Sequence, residues 1–358
     1  MEIELFRRHL AQTPLMEPDD AIRLAFESAF GCGNLIPGAE KNIGWIRRQI
    51  ERTPVEDVPP WTNIGNGLCR LNLASPEVRA LGERCIYRML RLTELELVSW
   101  HDTDLRYFGG LIAVKALAHK GETAFTVQQL DERICRFHDD GRRFICHSDS
   151  YCRRYHPSYR VVLTDLAMLI PVLRRDSKVI VFDGPCGSGK STLAGWLARL
   201  LDTQPIPVDD FFLPPEMRTP ERLSEPGGNM HRERFRAEVL EGLKKGGDVR
   251  WRRFDCSTLT YQPRMKPDSP VTVIEGSYSH HPYFEDMYRE LGALRVFVDA
   301  APAEQLRRIE KRAPEKRHMF ETRWIPLEKT YFEAYDIRGS ADVVINSYPR
   351  DAQTLYPE

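Results

Sequence analysis

The residues best suited to chemistry form the run Gly-Pro-Cys-Gly-Ser-Gly-Lys-Ser-Thr at positions 184–192. Glycines at this spacing let the backbone bend tightly and turn successive N–H groups toward one point, where anionic oxygens would bind. Lys190 would reach the β- and γ-phosphates of a nucleotide, and the Ser191 hydroxyl is suited to ligating Mg²⁺. We therefore expect a nucleoside triphosphate to contact the whole loop: Gly184, Pro185, Cys186, Gly187, Ser188, Gly189, Lys190, Ser191 and Thr192.

The elements on either side of this loop are those that a phosphate-binding loop requires. The β-branched run Val179–Phe182 predicts a strand before it, and the apolar spacing of Leu193–Leu201 predicts a helix after it. That helix would add the partial positive charge of its N-terminus to the phosphate site.

Carboxylates follow two further predicted strands. Asp209 and Asp210 come after Pro205–Val208, and a carboxylate there would accept a proton from a substrate hydroxyl held beside Mg²⁺ and ATP. The alternative is a helix cap or a solvated turn. Glu275 ends the run Val271–Ile274 and would be a second carboxylate on the metal side, beside Ser191.

A basic segment, residues 305–317, follows the next strand. We expect it to close over the phosphates, where an arginine would stabilise the charge on the transferred phosphoryl group. Arg308, Arg312 and Arg317 are the candidates, and the sequence leaves open which of them contacts phosphate. A solvated helix face is the alternative. The guanine-reading pattern Asn-Lys-x-Asp does not occur, which disfavours a GTPase.

The order of these segments predicts an α/β fold, a P-loop NTPase-type parallel sheet with helices on both faces. Two more strands are predicted at Leu294–Val298 and Val343–Ile345. Ligands of such sheets bind at the carboxyl ends of the strands. The predicted helices between the strands are Ser191–Leu201, Arg232–Lys245, Pro302–Lys311 and Trp324–Tyr335.

The first part of the chain is predicted to be mostly helical. We divide the chain into a helical domain of unknown role (1–160), a connecting helix or linker (161–177) and the P-loop domain (178–358). Two polar stretches of the first domain contain Arg70, His147, Tyr155, His156 and Arg160. They would form either an anion site or, as we prefer, hydrogen-bonded loops and a docking face.

Composition favours an ordinary globular protein. Hydrophobic residues make up 42% and charged residues 29%, with a net charge of −1, so we expect neither nucleic-acid nor membrane partners. The eight cysteines contain no C-x-x-C pair. The N-terminus lacks a secretory pattern, and we expect a cytoplasmic protein. A homo-oligomer is left open.

Taken together, these motifs resemble the uridine kinase, nicotinamide riboside kinase and phosphoribulokinase group of P-loop kinases. The resemblance covers about residues 178–346 and is carried by the loop, Asp209–Phe212, Phe254–Cys256, Ile274–Gly276 and the basic segment. It implies transfer of the ATP γ-phosphate to a primary hydroxyl, with Asp209 as base and Asp210 as second choice. Residues 209–229 resemble a bacterial uridine-kinase-like subgroup that also has an N-terminal helical region.

The acceptor end departs from that group at two places. An acid that holds ribose hydroxyls is replaced by the stretch Asn229–Phe235, and the position of a base-reading histidine falls near Leu259. Uridine is therefore not assigned. The residues expected to face the acceptor follow strand ends or lie in the hairpin-like segment Trp251–Lys266: Asp210, Phe212, His231, Asp255, Arg264, Tyr278 and His280. Packing is an equal alternative for each, and a metal at His280-His281 is disfavoured.

The sequence thus predicts an ATP- and Mg²⁺-dependent kinase of a small molecule. A nucleoside or another ribose-like alcohol is the expected acceptor, with Lys190, Asp209, Arg308 and Arg312 as the catalytic residues. The alternatives are a nucleotide-sensing protein with little turnover and a kinase of a sugar phosphate or vitamin-like alcohol.

Overall fold

A computed structural model describes residues 3–31, 38–139 and 159–347. These residues divide into two compact units, one ending at Ile170 and the other spanning Pro171–Ser347. Each unit has its own buried side chains and is described by itself. None of the described helices combines the length and the apolar character needed to cross a membrane.

Unit 1 is mainly helical. Its six longer helices are α1 (Ile3–Gln12), α2 (Pro18–Phe30), α3 (Ala39–Arg52), α4 (Gly82–Leu97), α5 (Thr103–His119) and α6 (Val127–Asp139). Short helices cover Pro76–Arg79 and Thr164–Ala167, and a third, Ile170–Leu173, crosses the unit boundary. In α2 the side chains of Ala21, Ile22, Leu24 and Ala25 are fully buried or nearly so, as expected for an amphipathic helix.

Unit 1 also contains a small antiparallel sheet that the sequence did not predict. Its strands are β1 (Trp61–Gly65), β2 (Leu68–Asn72) and β3 (Tyr159–Leu163), in the order β1-β2-β3. The two-residue turn at Asn66-Gly67 has positive φ at both residues, which suits a tight hairpin. Residues 161–163, expected to begin a connecting helix or linker, instead belong to β3, which pairs with β2 far away in sequence.

Unit 2 is built on a five-stranded parallel sheet. The strands are β4 (Val179–Asp183), β5 (Pro205–Pro207), β8 (Thr272–Glu275), β9 (Leu294–Asp299) and β10 (Val343–Asn346). Their order is β10-β9-β4-β8-β5, which places β4 in the centre. The five predicted strands are all present, with ends that differ by a few residues at most.

Helices flank this sheet. The longer ones are α7 (Lys190–Leu201), α8 (residues 232–245), α9 (Glu285–Leu291), α10 (Pro302–Arg312) and α11 (residues 317–334). Helices α8 and α11 each contain a π-helical turn, at Arg236–Leu240 and Phe320–Trp324. A short helix covers Pro220–Ser224, and 3₁₀ turns cover Val208–Phe211, Pro215–Met217, Pro282–Phe284 and Pro314–Lys316.

A separate two-stranded ribbon projects from this unit. Strands β6 (Val249–Asp255) and β7 (Thr260–Lys266) pair in antiparallel fashion, with Trp251 opposite Arg264 and Arg253 opposite Gln262. The hairpin-like segment expected at Trp251–Lys266 is thus a hairpin that begins two residues earlier.

Candidate active site

The loop after β4 has the backbone of a phosphate cradle. Gly184 has φ of +144°, and a Cβ at this position would stand 2.2 Å from the carbonyl oxygen of Val298. Gly189, at φ +97°, is the left-handed residue from which α7 starts. Both positions require glycine, because a side chain would either clash with backbone or strain it.

Lys190 and Ser191 open the first turn of α7. The Lys190 side chain is mostly buried, and its ammonium lies 3.4 Å from the carbonyl oxygen of Pro185 across the loop. The long, weak contact leaves the ammonium inside the cradle, where it can exchange this carbonyl for a phosphate oxygen.

Ser191, in the first turn of α7, meets Glu275, the last residue of β8. The Ser191 hydroxyl donates a 2.7 Å hydrogen bond to Glu275 Oε2. Burial, followed by the charge of Asp209, raises the pKa of the Glu275 carboxyl above its usual range. A cation at this place would relieve the desolvation cost of the carboxylate.

Asp209 and Asp210 have different surroundings although they are adjacent. Asp209 is exposed and faces a cavity, whereas Asp210 is buried. Asp210 accepts a 2.7 Å hydrogen bond from the indole N–H of Trp251, and Arg253 lies 3.7 Å away. Burial raises the pKa of Asp210 despite these partners. Asp209 therefore has the accessible carboxylate that a proton acceptor needs, and Asp210 is engaged in holding β6.

A cavity of about 390 Å³ brings these groups together. Its lining comprises residues from the loop, the two strand ends and α10–α11: Cys186, Gly187, Gly189, Lys190, Ser191, Thr192, Asp209, Phe212, Asn229, Ser277, Tyr278, Arg308, Arg312, Phe320, Trp324 and Glu328. One cavity is thus lined by Lys190 of the loop, by Ser191, which is suited to binding Mg²⁺, and by the exposed Asp209.

The three candidate arginines occupy three different environments. Arg308 is tied to the loop, donating 2.7 Å to the carbonyl oxygen of Ser188 and 2.6 Å to Glu304. Arg317 lies outside the cavity lining and pairs with Glu310 at 2.9 Å. Arg312 is exposed and lines the cavity, with its guanidinium 5.7 Å from the ring centre of Phe320.

It follows that the arginines of the basic segment, residues 305–317, differ in how much of their positive charge nearby carboxylates offset. Glu304 is shared by Arg307 and Arg308 and offsets part of their charge, and Glu310 and Glu321 offset the charge of Arg317. Arg312 lines the cavity, and no carboxylate among the described residues lies within 4.0 Å of it. Arg317, expected to bind the nucleotide, lies outside the cavity lining, and its role stays a prediction.

Two of the expected acceptor residues line the cavity. Phe212 is partly exposed there, and Tyr278 is buried, with positive φ and a hydroxyl hydrogen-bonded to Asn229. Burial raises the pKa of the Tyr278 phenol. The Tyr278 ring packs at 5.0 Å on Tyr331, so it forms part of the wall.

The other five expected acceptor residues lie outside that lining: Asp210, described above, and the four that follow. His231 caps α8, accepting from the backbone N–H of Arg234, and Asp255 accepts the N–H and hydroxyl of Ser257 at the tip of the ribbon. The His280 ring is buried, with Nε2 2.9 Å from the carbonyl oxygen of Val181. Arg264 stands on the ribbon, across from Trp251.

Sequence reasoning missed Asn229, Ser277, Phe320, Trp324 and Glu328, which all line the cavity. Glu328 is the most connected: it accepts 2.8 Å from the N–H of Cys186 and 2.5 Å from the Ser277 hydroxyl. This carboxylate joins α11 to the phosphate loop and to the segment after β8. No local pattern marks it, since a glutamate in a helix normally faces solvent.

Two of the polar residues singled out in the first domain, Arg70 and Arg160, have contacts within unit 1. Arg70 is buried and pairs at 2.9 Å with the buried carboxylate of Glu27, and the guanidinium of Arg160 lies 3.9 Å from the ring centre of Trp45. His147, Tyr155 and His156 lie outside the described residues. The preferred hypothesis of hydrogen-bonded structure fits Arg70.

The site suits ATP and Mg²⁺ by the chemistry of its donors. Ser191 and Glu275 offer the hydroxyl and carboxylate oxygens that Mg²⁺ prefers, next to a cradle of backbone N–H groups. Within the described part of the chain, no set of three or more His, Cys, Asp or Glu side chains could hold a metal ion.

The loop, the strand order and the carboxylates after β5 and β8 define a class of protein. Unit 2 has a P-loop type of nucleotide-binding fold, a parallel sheet with a glycine-rich loop after its central strand.

Comparisons with known proteins find this likeness among solved structures only. A possible uridine kinase from Bacillus stearothermophilus has 20% identity over 48% of this chain and 89% of that chain, with a TM-score of 0.34. The YGR205w protein has 15% identity over 58% and 94%, with a TM-score of 0.33. Shikimate kinase from Bacteroides thetaiotaomicron has 18% identity over 47% and 85%, with a TM-score of 0.24. No protein-family model and no curated protein matches the chain. At these identities and scores the similarities identify no substrate.

Proposed function

We propose that this protein is an ATP-dependent small-molecule kinase that phosphorylates a hydroxyl of a ribose-like alcohol. The observation that carries the proposal is that Lys190, Ser191 and Asp209 line one cavity. A protein that only senses a nucleotide needs the lysine and the serine. An accessible carboxylate beside them serves the transfer of a phosphoryl group to a hydroxyl.

The proposed reaction uses each of these groups at a stated atom. The ATP phosphates lie against the N–H groups of the loop, where Lys190 and Arg312 offset their charge. The acceptor oxygen bonds to the γ-phosphorus, the bond from that phosphorus to the bridging oxygen breaks, and ADP leaves. The hydroxyl proton passes to the carboxylate of Asp209. Mg²⁺ held by Ser191 and Glu275 would neutralise phosphate charge when bound.

Glu328 connects the phosphate loop to the segment after β8. Its carboxylate holds the loop through Cys186 and the segment after β8 through Ser277, so the two halves of the site keep one spacing. Phosphoryl transfer depends mainly on positioning and electrostatics, which makes a fixed spacing valuable.

We also propose the cytoplasm as the location of this chemistry. The described cysteines 69, 85, 135, 186 and 256 are free thiols, and Cys186 sits within the phosphate loop. A free thiol in that position suits a reducing compartment.

The test measures conversion of ATP to ADP by the full chain with Mg²⁺, against a panel of nucleosides, ribosides and sugar phosphates. ADP release that depends on one acceptor, and that disappears together with ATP binding in Lys190→Ala, supports the proposal. Tight ATP binding without acceptor-dependent turnover would contradict it and favour the nucleotide-sensing alternative.

A further inference from the structure

One face of the β6–β7 ribbon is turned toward the carboxylates of the candidate active site. Trp251 donates its indole N–H to Asp210, and Arg253 Nε stands 3.7 Å from the same carboxylate. Residues directly opposite each other in an antiparallel pair share a face of the sheet, and Arg264 is opposite Trp251. Arg253 and Arg264 therefore stand on the face that meets Asp210.

This face carries more positive than negative charge. Arg264 is exposed and has no carboxylate within 4.0 Å among the described residues. Arg218 reaches the tip of the ribbon, with Nη2 4.0 Å from the Cys256 sulfur. Asp210 is the carboxylate near Arg253 and Arg264, and Asp255, near Arg253, already accepts the hydroxyl and N–H of Ser257.

The carboxylate that these arginines approach belongs to the residue next to the exposed Asp209. Asp209, which lines the cavity, precedes Asp210 in the chain, and consecutive Cα atoms are about 3.8 Å apart. Neither Arg253 nor Arg264 lines the cavity itself. A substrate with its hydroxyl at Asp209 could therefore extend a second group past Asp210 to the ribbon.

We propose that the acceptor is an alcohol with an oxyanion, either a phosphate or a carboxylate, and that Arg264 and Arg253 bind this group. The inference rests on the proposed kinase function and narrows its substrate class. A guanidinium presents a planar set of donors that matches both oxyanions, whereas a neutral nucleoside gives Arg264 no partner of opposite charge.

The walls of the cavity agree with this choice. The Tyr278 ring packs against Tyr331 and its hydroxyl is taken by Asn229, so it offers little surface for reading a base. Phe212 is the partly exposed aromatic side chain on the acceptor side and can contact the carbon skeleton of a small alcohol.

The experiment compares four acceptors with the full chain, ATP and Mg²⁺: uridine and ribose as neutral alcohols, ribose 5-phosphate and gluconate as anionic ones. We expect the highest kcat/KM for an anionic acceptor, and the comparison of ribose 5-phosphate with gluconate separates phosphate from carboxylate. The KM for the anionic acceptor should rise with the salt concentration, because screening weakens a charge contact at an exposed arginine.

Arg264→Ala tests the residue itself. We expect its KM for the anionic acceptor to rise about 10–100-fold, since a hydrogen-bonded charge contact is lost, with the KM for ATP unchanged. Arg264→Lys should recover part of the loss. Arg250→Ala is the matched control, because Arg250 lies in strand β6 on the opposite face of the same ribbon and pairs with Asp248.

Each outcome decides the inference. A neutral acceptor with the highest kcat/KM, or an Arg264→Ala variant with the wild-type KM, would overturn it and leave the kinase function standing. Absence of turnover with all four alcohols would overturn the proposed function, and this inference with it. Thermal melting of each variant with and without ATP identifies loss of folding, and Arg264→Lys then serves as the deciding variant.

Discussion

At the scale of single residues, neighbouring positions in the sequence have opposite environments. Asp209 is exposed in the cavity, whereas Asp210 is buried under Trp251. Both were candidates for the base, and a local pattern treats them alike. Their difference arises because one 3₁₀ turn points consecutive side chains in different directions.

Asp209→Asn should therefore lower kcat by about 10²–10⁴-fold, since it removes the proton acceptor but keeps the shape. The affinity for ATP should remain close to that of the wild type. Steady-state kinetics and ATP binding measure the two effects. Asp210→Asn is the control, because an amide oxygen still accepts the Trp251 N–H, and its kcat should fall less. Equal losses in both variants would contradict the assignment of Asp209.

Glu275 gives a prediction on pH. Burial raises the pKa of Glu275, so the folded state favours the protonated carboxyl. As pH rises from the unfolded pKa through the folded one, ionising this group costs stability, and the cost is absent at lower pH. Glu275→Gln should hence raise the melting temperature without ligand near neutral pH, with a gain that shrinks as the pH falls through the folded pKa and is gone below the unfolded pKa.

The same variant should weaken the apparent affinity for Mg²⁺ by about 10–100-fold, because the amide lacks the negative charge. Titrating Mg²⁺ in the kinetic assay measures this effect. A wild-type dependence on Mg²⁺ would remove Glu275 from the metal site.

At the scale of elements, the phosphate loop depends on glycine where the backbone approaches another strand. Gly184→Ala would place a methyl group against the Val298 carbonyl and strain a backbone with φ of +144°. We expect a loss of about 2–5 kcal/mol in the free energy of unfolding. Gly195→Ala, in α7 with open space around it, should instead gain about 0.5–1 kcal/mol. Urea unfolding of both variants checks the pair, and losses of equal size would contradict the close approach.

The arginines of the basic segment, residues 305–317, should differ in how much their substitution lowers kcat. Arg312→Ala should lower kcat by about 10²–10³-fold, because the guanidinium available to the transferred phosphoryl group is removed. Arg317→Ala should change kcat by no more than about twofold, since exposed ion pairs contribute little. Steady-state kinetics of the two variants, with Arg308→Lys beside them, tests the order. A larger loss for Arg317→Ala would reverse it.

At the scale of the whole molecule, the two units have separate sources of stability. Unit 1 buries the ion pair of Arg70 with Glu27 beside the strands β1 and β2. Arg70→Ala leaves a buried carboxylate with one partner fewer, and we expect it to cost about 3–5 kcal/mol. Hydrogen exchange in β1 and β2 measures this loss, and the KM for ATP should stay unchanged, because Arg70 does not line the cavity. Unaltered exchange would show that the pair contributes nothing to stability.

The parallel sheet of unit 2 was predictable because each of its strands has a short apolar run and a loop or helix of typical composition after it. The antiparallel sheet of unit 1 was not, since β3 pairs with β2 across a long sequence separation and its residues read locally as part of a linker. The division of the chain at residue 160 remains a prediction, and the compact units separate after Ile170.

The sequence alone determined the phosphate end of the site. The glycines, Lys190 and Ser191 are consecutive, and a strand–loop–helix unit places them with little help from the rest of the chain. The carboxylates after β5 and β8 followed from the rule that parallel strands end at one edge.

Only the tertiary structure decided which charges remain available. Glutamates offset the charges of Arg308 and Arg317, whereas Arg312 lines the cavity without such a partner among the described residues. The pairing register of the ribbon places Arg264 on the same face as Trp251, which contacts Asp210. Glu328 enters the site from a helix far along the chain. These assignments depend on distances between segments remote in sequence, and a side chain's charge becomes useful or neutralised only when its neighbours are in place.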